Sequence, residues 1–142
     1  MLPGGLAEIF TAQPGRDVAM WKRRKGLCRL ALETGARLVP MYVHGGNDFF
    51  HQLGTSDSAV ARFSRSWGVS FVCFWGQCLL PIPLKPPFGV VMAIAEPLPV
   101  TRCAGAKPTD AEIKDLNDLY AASLAELFER TKPNPEARLV IM

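Results

Sequence analysis

From Arg24 to Thr34, the apolar residues Leu27, Leu30 and Ala31 recur at helical spacing while Lys25, Arg29 and Glu33 form an opposite polar stripe at intervals of four. This predicts an amphipathic helix closed at Gly35, a good C-terminal cap. The run that follows, "RLVPMYV", is apolar and bounded by glycines, which predicts a buried strand ending in the turn His44-Gly45-Gly46-Asn47. Helix, tight turn, buried strand and polar tip make an αβ unit. In a mostly parallel sheet, such units place their chemistry at the carboxyl ends of the strands.

Elsewhere the patterns are shorter. Pro3-Gly4-Gly5 reads as a turn leading into a short helix, Leu6 to Ala12, which Pro14-Gly15 stops. Residues 58–66 predict a further helix, and 69–75 and 89–95 are strand candidates. The strongest pattern is the last: Thr109-Asp110-Ala111-Glu112 forms a capping box after Pro108. Behind it, Ile113, Leu116, Tyr120, Leu124, Leu127 and Phe128 make one apolar face. Lys132-Pro133-Asn134-Pro135 ends that helix, and the tail Glu136–Met142 carries no pattern that assigns it. One domain over residues 1–142 is expected, without linker or repeat.

Composition adds two constraints. Forty-nine per cent of the 142 residues are hydrophobic, only 20% are charged and the mean hydropathy is +0.12. Some apolar surface is therefore expected to meet a lipid, a partner or further chain. The net charge of +3 hides an asymmetry: residues 1–107 carry 12 Lys+Arg against 6 Asp+Glu, and residues 108–142 carry 4 against 7. In the most apolar region, Pro81, Pro83, Pro86 and Pro87 interrupt the chain before any run reaches the ~18–20 residues that span a bilayer. That region reads either as a pair of buried strands joined by a proline-rich loop or as a segment lying against a membrane.

The usual catalytic signatures are missing: there is no Gly-x-Ser-x-Gly elbow, no phosphate loop of the Gly-x-x-x-x-Gly-Lys type and no His-Glu-x-x-His pair. Cys28, Cys73, Cys78 and Cys103 include no Cys-x-x-Cys pair, which with the absence of a secretory pattern points to a reducing, cytosol-facing environment. Cys73, Cys78, His44 and His51 can be written as a zinc set, but their spacing fits no familiar site. What remains is Gly4-Gly5 at a helix start, the cationic run Lys22-Arg23-Arg24-Lys25, and the turn that closes the predicted strand. Free N–H groups beside glycines suit a phosphate or an oxyanion. Four cations at a helix start oppose the helix dipole, which points to a nearby anion. A rival reading takes the cationic run as a basic surface for anionic lipid, nucleic acid or an acidic partner, although no nucleic-acid module surrounds it.

The ordered motifs carry a resemblance. Pro3-Gly4-Gly5 with Glu8, Arg24-Lys25-Gly26-Leu27 with Arg29-Leu30-Ala31, Gly35-Ala36, Leu38-Val39-Pro40 and the Gly45–Asn47 turn are similar to the diacylglycerol acyltransferase type 2 and monoacylglycerol acyltransferase family. The likeness continues through Pro83, Pro87, Glu96-Pro97-Leu98-Pro99 and Pro108-Thr109 into the final helix. It implies a partial α/β domain of the lysophospholipid-acyltransferase-like type, with a mostly parallel sheet, flanking helices and an amphipathic C-terminal helix.

It also implies acyl transfer from acyl-CoA, as co-substrate and without other cofactor, to the hydroxyl of an acylglycerol. The place would be the cytosolic face of the endoplasmic reticulum membrane, or a lipid droplet. On this likeness Gly4, Gly5, Glu8, Arg24, Lys25 and Asn47 are the substrate-binding residues. Gly4 and Gly5 contact an oxyanion or phosphate, Arg24 and Lys25 an anionic group, and Asn47 positions a polar group. The family's His-Pro-His-Gly base segment has no counterpart among these residues, so the sequence is expected to be the C-terminal part of a larger domain, with no catalytic base of its own. His44 reads as a strand-end residue near the site. The chain departs from the family where His44-Gly45-Gly46-Asn47 stands in place of Phe-Gly-Glu-Asn, and where Trp75-Gly76-Gln77 replaces Gly-Arg-Gly.

Overall fold

A computed structural model describes residues 16–19, 21, 24–53, 66, 73–101 and 107–142. In chain order these form β1 (Arg16–Ala19), α1 (Lys25–Thr34), β2 (Met41–His44), β3 (His51–Leu53), β4 (Cys73–Trp75), β5 (Val91–Ile94), α2 (Asp110–Thr131) and β6 (Arg138–Ile141). The expected turn at Gly4-Gly5, the helix at 6–12 and all of the helix at 58–66 except Ser66 lie outside the described residues.

Helix α2 organises the core. Its N-terminus carries the predicted capping box: the Glu112 amide donates to Thr109 Oγ1 at 3.3 Å, and the Thr109 amide donates to Glu112 Oε2 at 2.7 Å. These bonds satisfy donors that a helix start leaves open. All six predicted apolar positions, Ile113, Leu116, Tyr120, Leu124, Leu127 and Phe128, are buried.

Helix α1 packs along this face and ends at Gly35, whose left-handed backbone (φ 74°) lets its amide donate to the Ala31 carbonyl at 2.7 Å. Its buried positions are Cys28, Ala31 and Leu32; Leu30 is exposed. The sequence pattern had placed Leu30 inward. At 100° per residue it stands about 200° from Cys28, on the solvent side. Between the helices, Trp21 stacks on Tyr120 with ring centroids 4.0 Å apart and donates from Nε1 to the Asn117 carbonyl at 3.1 Å. Cys28 Sγ donates to Asn117 Oδ1 at 3.7 Å, so the buried asparagine is tied into the core from two directions. Burial raises the Cys28 pKa, which keeps the thiol protonated for that bond.

The expectation of a mostly parallel sheet is corrected. Among the described residues the strands form three two-stranded sheets: β1 with β6 is parallel, whereas β2 with β5 and β3 with β4 are antiparallel. Of the strand candidates 69–75 and 89–95, the described strands β4 and β5 pair with β3 and β2 respectively rather than with each other. The physical reason lies in the connections. A parallel pair needs a long crossover, and α2 supplies one ahead of β6. The Glu136–Met142 tail, unassigned from sequence, completes that pair.

Strand β2 is also only half buried. Tyr42 and His44 face α2, while Met41 and Val43 project outward beside Met92 and Ile94 of β5, and all four outward residues are exposed. The result is one apolar sheet face open to the surroundings. No helix among the described residues is long and apolar enough to cross a membrane.

Phe128 is fully buried and meets Tyr42 edge-on at 5.1 Å. Phe128→Ala is expected to cost about 3–5 kcal/mol of stability in urea denaturation. Leu119→Ala, on the exposed side of α2, is expected to stay within about 0.5 kcal/mol.

Candidate functional site

The alternation of β2 turns His44, its last residue, toward α2, where the imidazole sits 4.9 Å from the Tyr42 ring and 5.1 Å from Phe128. It is 3% exposed. His44 Nε2 lies 2.9 Å from Thr131 Oγ1, and that hydroxyl donates to the Leu127 carbonyl at 2.6 Å. A hydroxyl has one proton. With that proton on Leu127, Thr131 can only accept from the imidazole, so Nε2 carries the hydrogen and Nδ1 the lone pair.

After His44 the chain reverses. Gly45 takes a left-handed conformation (φ 79°), and a Cβ there would collide with the Gly89 carbonyl oxygen. Only glycine meets both demands. One 3-10 turn, Gly46–Asp48, follows, and it brings Asn47 back to β1, where its side-chain amide donates to Asp17 Oδ1. Burial raises the Asp17 pKa, with Asp48 pushing the same way; hydrogen bonds from Asn47 and Tyr42 and the proximity of His44 pull it down. The His44 pKa is lowered by burial, and Asp17 opposes that shift.

These groups border a cleft of about 210 Å³ lined by Asp17, His44, Asn47 and Asp48 on one side. Pro87, Phe88, Pro133 and Ala137 supply apolar wall. Among the described residues no Lys or Arg lines it.

Of the residues singled out in the sequence, Asn47 lies in this cleft, and so does His44, the strand-end residue expected near the site. Arg24 is exposed at the N-cap of α1, with its amide donating to the Trp21 carbonyl at 2.8 Å, and Lys25 is exposed as the first residue of that helix. Neither lines the cleft. Gly4, Gly5 and Glu8 lie outside the described residues, and so does any shared edge between the glycine pair and the cations. His51 is exposed on β3, 6.2 Å from the Trp75 ring, and away from the cleft. Among the described residues no group of three His, Cys, Asp or Glu could hold a metal ion. Sequence reasoning missed Asp17, Tyr42 and Thr131. Asp17 stands in a four-residue strand too short to show alternation, and Thr131 is polar only in the last turn of a helix read for its apolar face.

Comparison with known proteins settles the family. Residues 1–140 match a family model described as Diacylglycerol acyltransferase. The chain belongs to this family. Among its relatives are human Diacylglycerol O-acyltransferase 2-like protein 6, 31% identical over 91% of this chain and 41% of the relative, and human 2-acylglycerol O-acyltransferase 3, 32% identical over 93% and 41%. Diacylglycerol O-acyltransferase 2 of Dictyostelium discoideum is 30% identical over 93% of this chain and 42% of its own length. The chain thus spans well under half the length of these curated relatives. No solved structure matches it.

The buried histidine makes the family domain sensitive to acid. Unfolded His44 takes up a proton at its ordinary pKa of 6.5, whereas the folded form resists until lower pH. Stability is therefore expected to fall as pH drops below 6.5, down to the folded value. Asp17, raised from 3.8, acts in the opposite sense: between 3.8 and its folded value, stability is gained as pH falls. Urea titrations at stepped pH check the decline, and His44→Gln is expected to remove most of the part beginning at 6.5.

Proposed function

We propose that this protein serves acyl-CoA-dependent O-acylation of an acylglycerol, a step of neutral-lipid synthesis. Family membership over residues 1–140 carries the reading, and the relatives named above are acyltransferases by name. The division of charge is consistent with two substrates of different polarity. Arg24 and Lys25 form an exposed cationic pair suited to the phosphates of acyl-CoA, with Gly4, Gly5 and Glu8 assigned beside them. The described lining of the cleft around Asp17, His44 and Asn47 holds carboxylates and no lysine or arginine, which disfavours a phosphate and admits a neutral alcohol.

The reaction joins the acceptor hydroxyl oxygen to the thioester carbonyl carbon, while the carbon–sulfur bond breaks and the thiolate takes up a proton. A base that removes the hydroxyl proton as the new bond forms contributes about 10²–10⁴ in rate. His44 and His51 are the two histidines of the sequence. No cofactor beyond the acyl-CoA co-substrate enters this chemistry.

The site of action we propose is the cytosolic face of the endoplasmic reticulum membrane, extending to lipid droplets. Exposed Met41, Val43, Met92 and Ile94 on the β2–β5 ribbon, with exposed Leu79, Leu80, Ile82 and Phe88 before β5, support a lipid-facing surface. No observation favours a non-enzymatic basic module.

Titration of the chain with oleoyl-CoA tests the proposal without requiring turnover. Saturable binding is expected, competed by coenzyme A, and Arg24→Ala/Lys25→Ala is expected to weaken it about tenfold or more, as for lost hydrogen bonds between charged groups. Absence of binding, or binding equal to that of oleic acid, would contradict the acyl-CoA role. An affinity unchanged in the double variant would remove the two cations from it.

A further inference from the structure

The imidazole of His44 leaves one atom unused. Nε2–H is committed to Thr131, and Nδ1, which holds the lone pair, has no partner among the described residues. Yet no buried side-chain nitrogen or oxygen there lacks a hydrogen bond. Nδ1 must therefore reach open space, and the open space beside His44 is the cleft.

We infer that His44 Nδ1 is the atom that receives the acceptor alcohol, taking a hydrogen bond from its free hydroxyl and holding the oxygen in the cleft. The inference rests on the acyltransferase reading above and deepens it by naming the contact that selects a neutral glyceride.

Three features of the cleft agree on the ligand class. Its titratable lining among the described residues is Asp17, Asp48 and His44, so an anionic ligand would meet the repulsion of two carboxylates. The unprotonated nitrogen of a neutral imidazole accepts a hydrogen bond and cannot donate one, so the ligand must bring a donor. A hydroxyl does so without bringing charge. At about 210 Å³ the cleft is smaller than the roughly 300–1,000 Å³ of a site for a drug-sized molecule. It has room for a glyceryl head, with acyl chains leaving over exposed Phe88.

The ring is well held for this task. Tyr42 and Phe128 flank it, Thr131 fixes its tautomer, and Gly45 turns the chain away directly after it. Asn47 and Asp17, joined to each other, supply a second polar contact for the glyceryl backbone.

Two substitutions separate this role from a merely structural one. In His44→Gln the side-chain amide can replace Nε2–H toward Thr131 but leaves nothing at the Nδ1 position. In His44→Asn the amide oxygen stands where Nδ1 stood, and the Thr131 bond is lost. Binding of 1,2-dioctanoylglycerol is compared with that of its 3-acetyl ester, which lacks the hydroxyl, for the wild-type chain and for both variants. The wild-type protein is expected to prefer the free alcohol about tenfold, the upper range for one neutral hydrogen bond. His44→Gln is expected to bind the two alike, and His44→Asn to keep most of the preference. As a check that needs no variant, the wild-type preference is expected to vanish at acid pH once Nδ1 is protonated. The inference is overturned if the wild type binds neither glyceride, if it binds both equally, or if His44→Gln keeps the preference. Oleoyl-CoA binding measured on the same sample reports separately on the acyltransferase reading.

Discussion

A single hydrogen bond, from His44 Nε2–H to the Thr131 hydroxyl, joins the last turn of α2 to the last residue of β2. The Thr131 hydroxyl donates its own hydrogen bond to the Leu127 carbonyl, so the direction of the chain of bonds is set by the helix backbone. Much else depends on it. It fixes which imidazole nitrogen carries the lone pair, it holds the ring between Tyr42 and Phe128, and it sets the position from which Gly45 can reverse the chain. The core supplies the rigidity: Trp21, Cys28, Asn117 and Tyr120 lock α1 to α2 farther along the same helix.

On the proposal that the chain serves acyl transfer, the cleft and the exposed cations divide the labour by charge. Asp17 and Asp48 face the cleft, Asp17 with its pKa raised by burial, while Arg24 and Lys25 are exposed residues at the start of α1. An acyl-transfer enzyme must bring a highly anionic carrier and a neutral alcohol together. A surface that keeps phosphate away from the alcohol's place helps each substrate find its own. The apolar outer face of the β2–β5 ribbon fits the same account, because an alcohol of this kind arrives from lipid.

How much of this the sequence disclosed follows from the length of each signal. Helix α2, with 22 residues, a capping box and six apolar positions in phase, was legible almost to the residue. Helix α1 was legible in extent, but Leu30 was assigned inward because ten residues leave the phase of an apolar stripe loosely determined. Strand pairing was not legible. Three- and four-residue strands carry no register information, and the antiparallel β2–β5 ribbon replaced the expected parallel arrangement. Of the site, Asn47 and the glycine turn could be found from local chemistry. Asp17 and Thr131 could not, since they are 30 and 84 residues from Asn47: Asp17 reaches the cleft through β1, and Thr131 reaches His44 from the end of α2.

The tautomer of the His44 ring decides which nitrogen is left to accept a hydrogen bond, and nitrogen NMR of the ¹⁵N-labelled chain reads it directly. Long-range proton–nitrogen correlations of His44 at neutral pH are expected to show a neutral imidazole protonated at Nε2 with an unprotonated Nδ1. An Nδ1–H tautomer, or an imidazolium at that pH, would contradict the account.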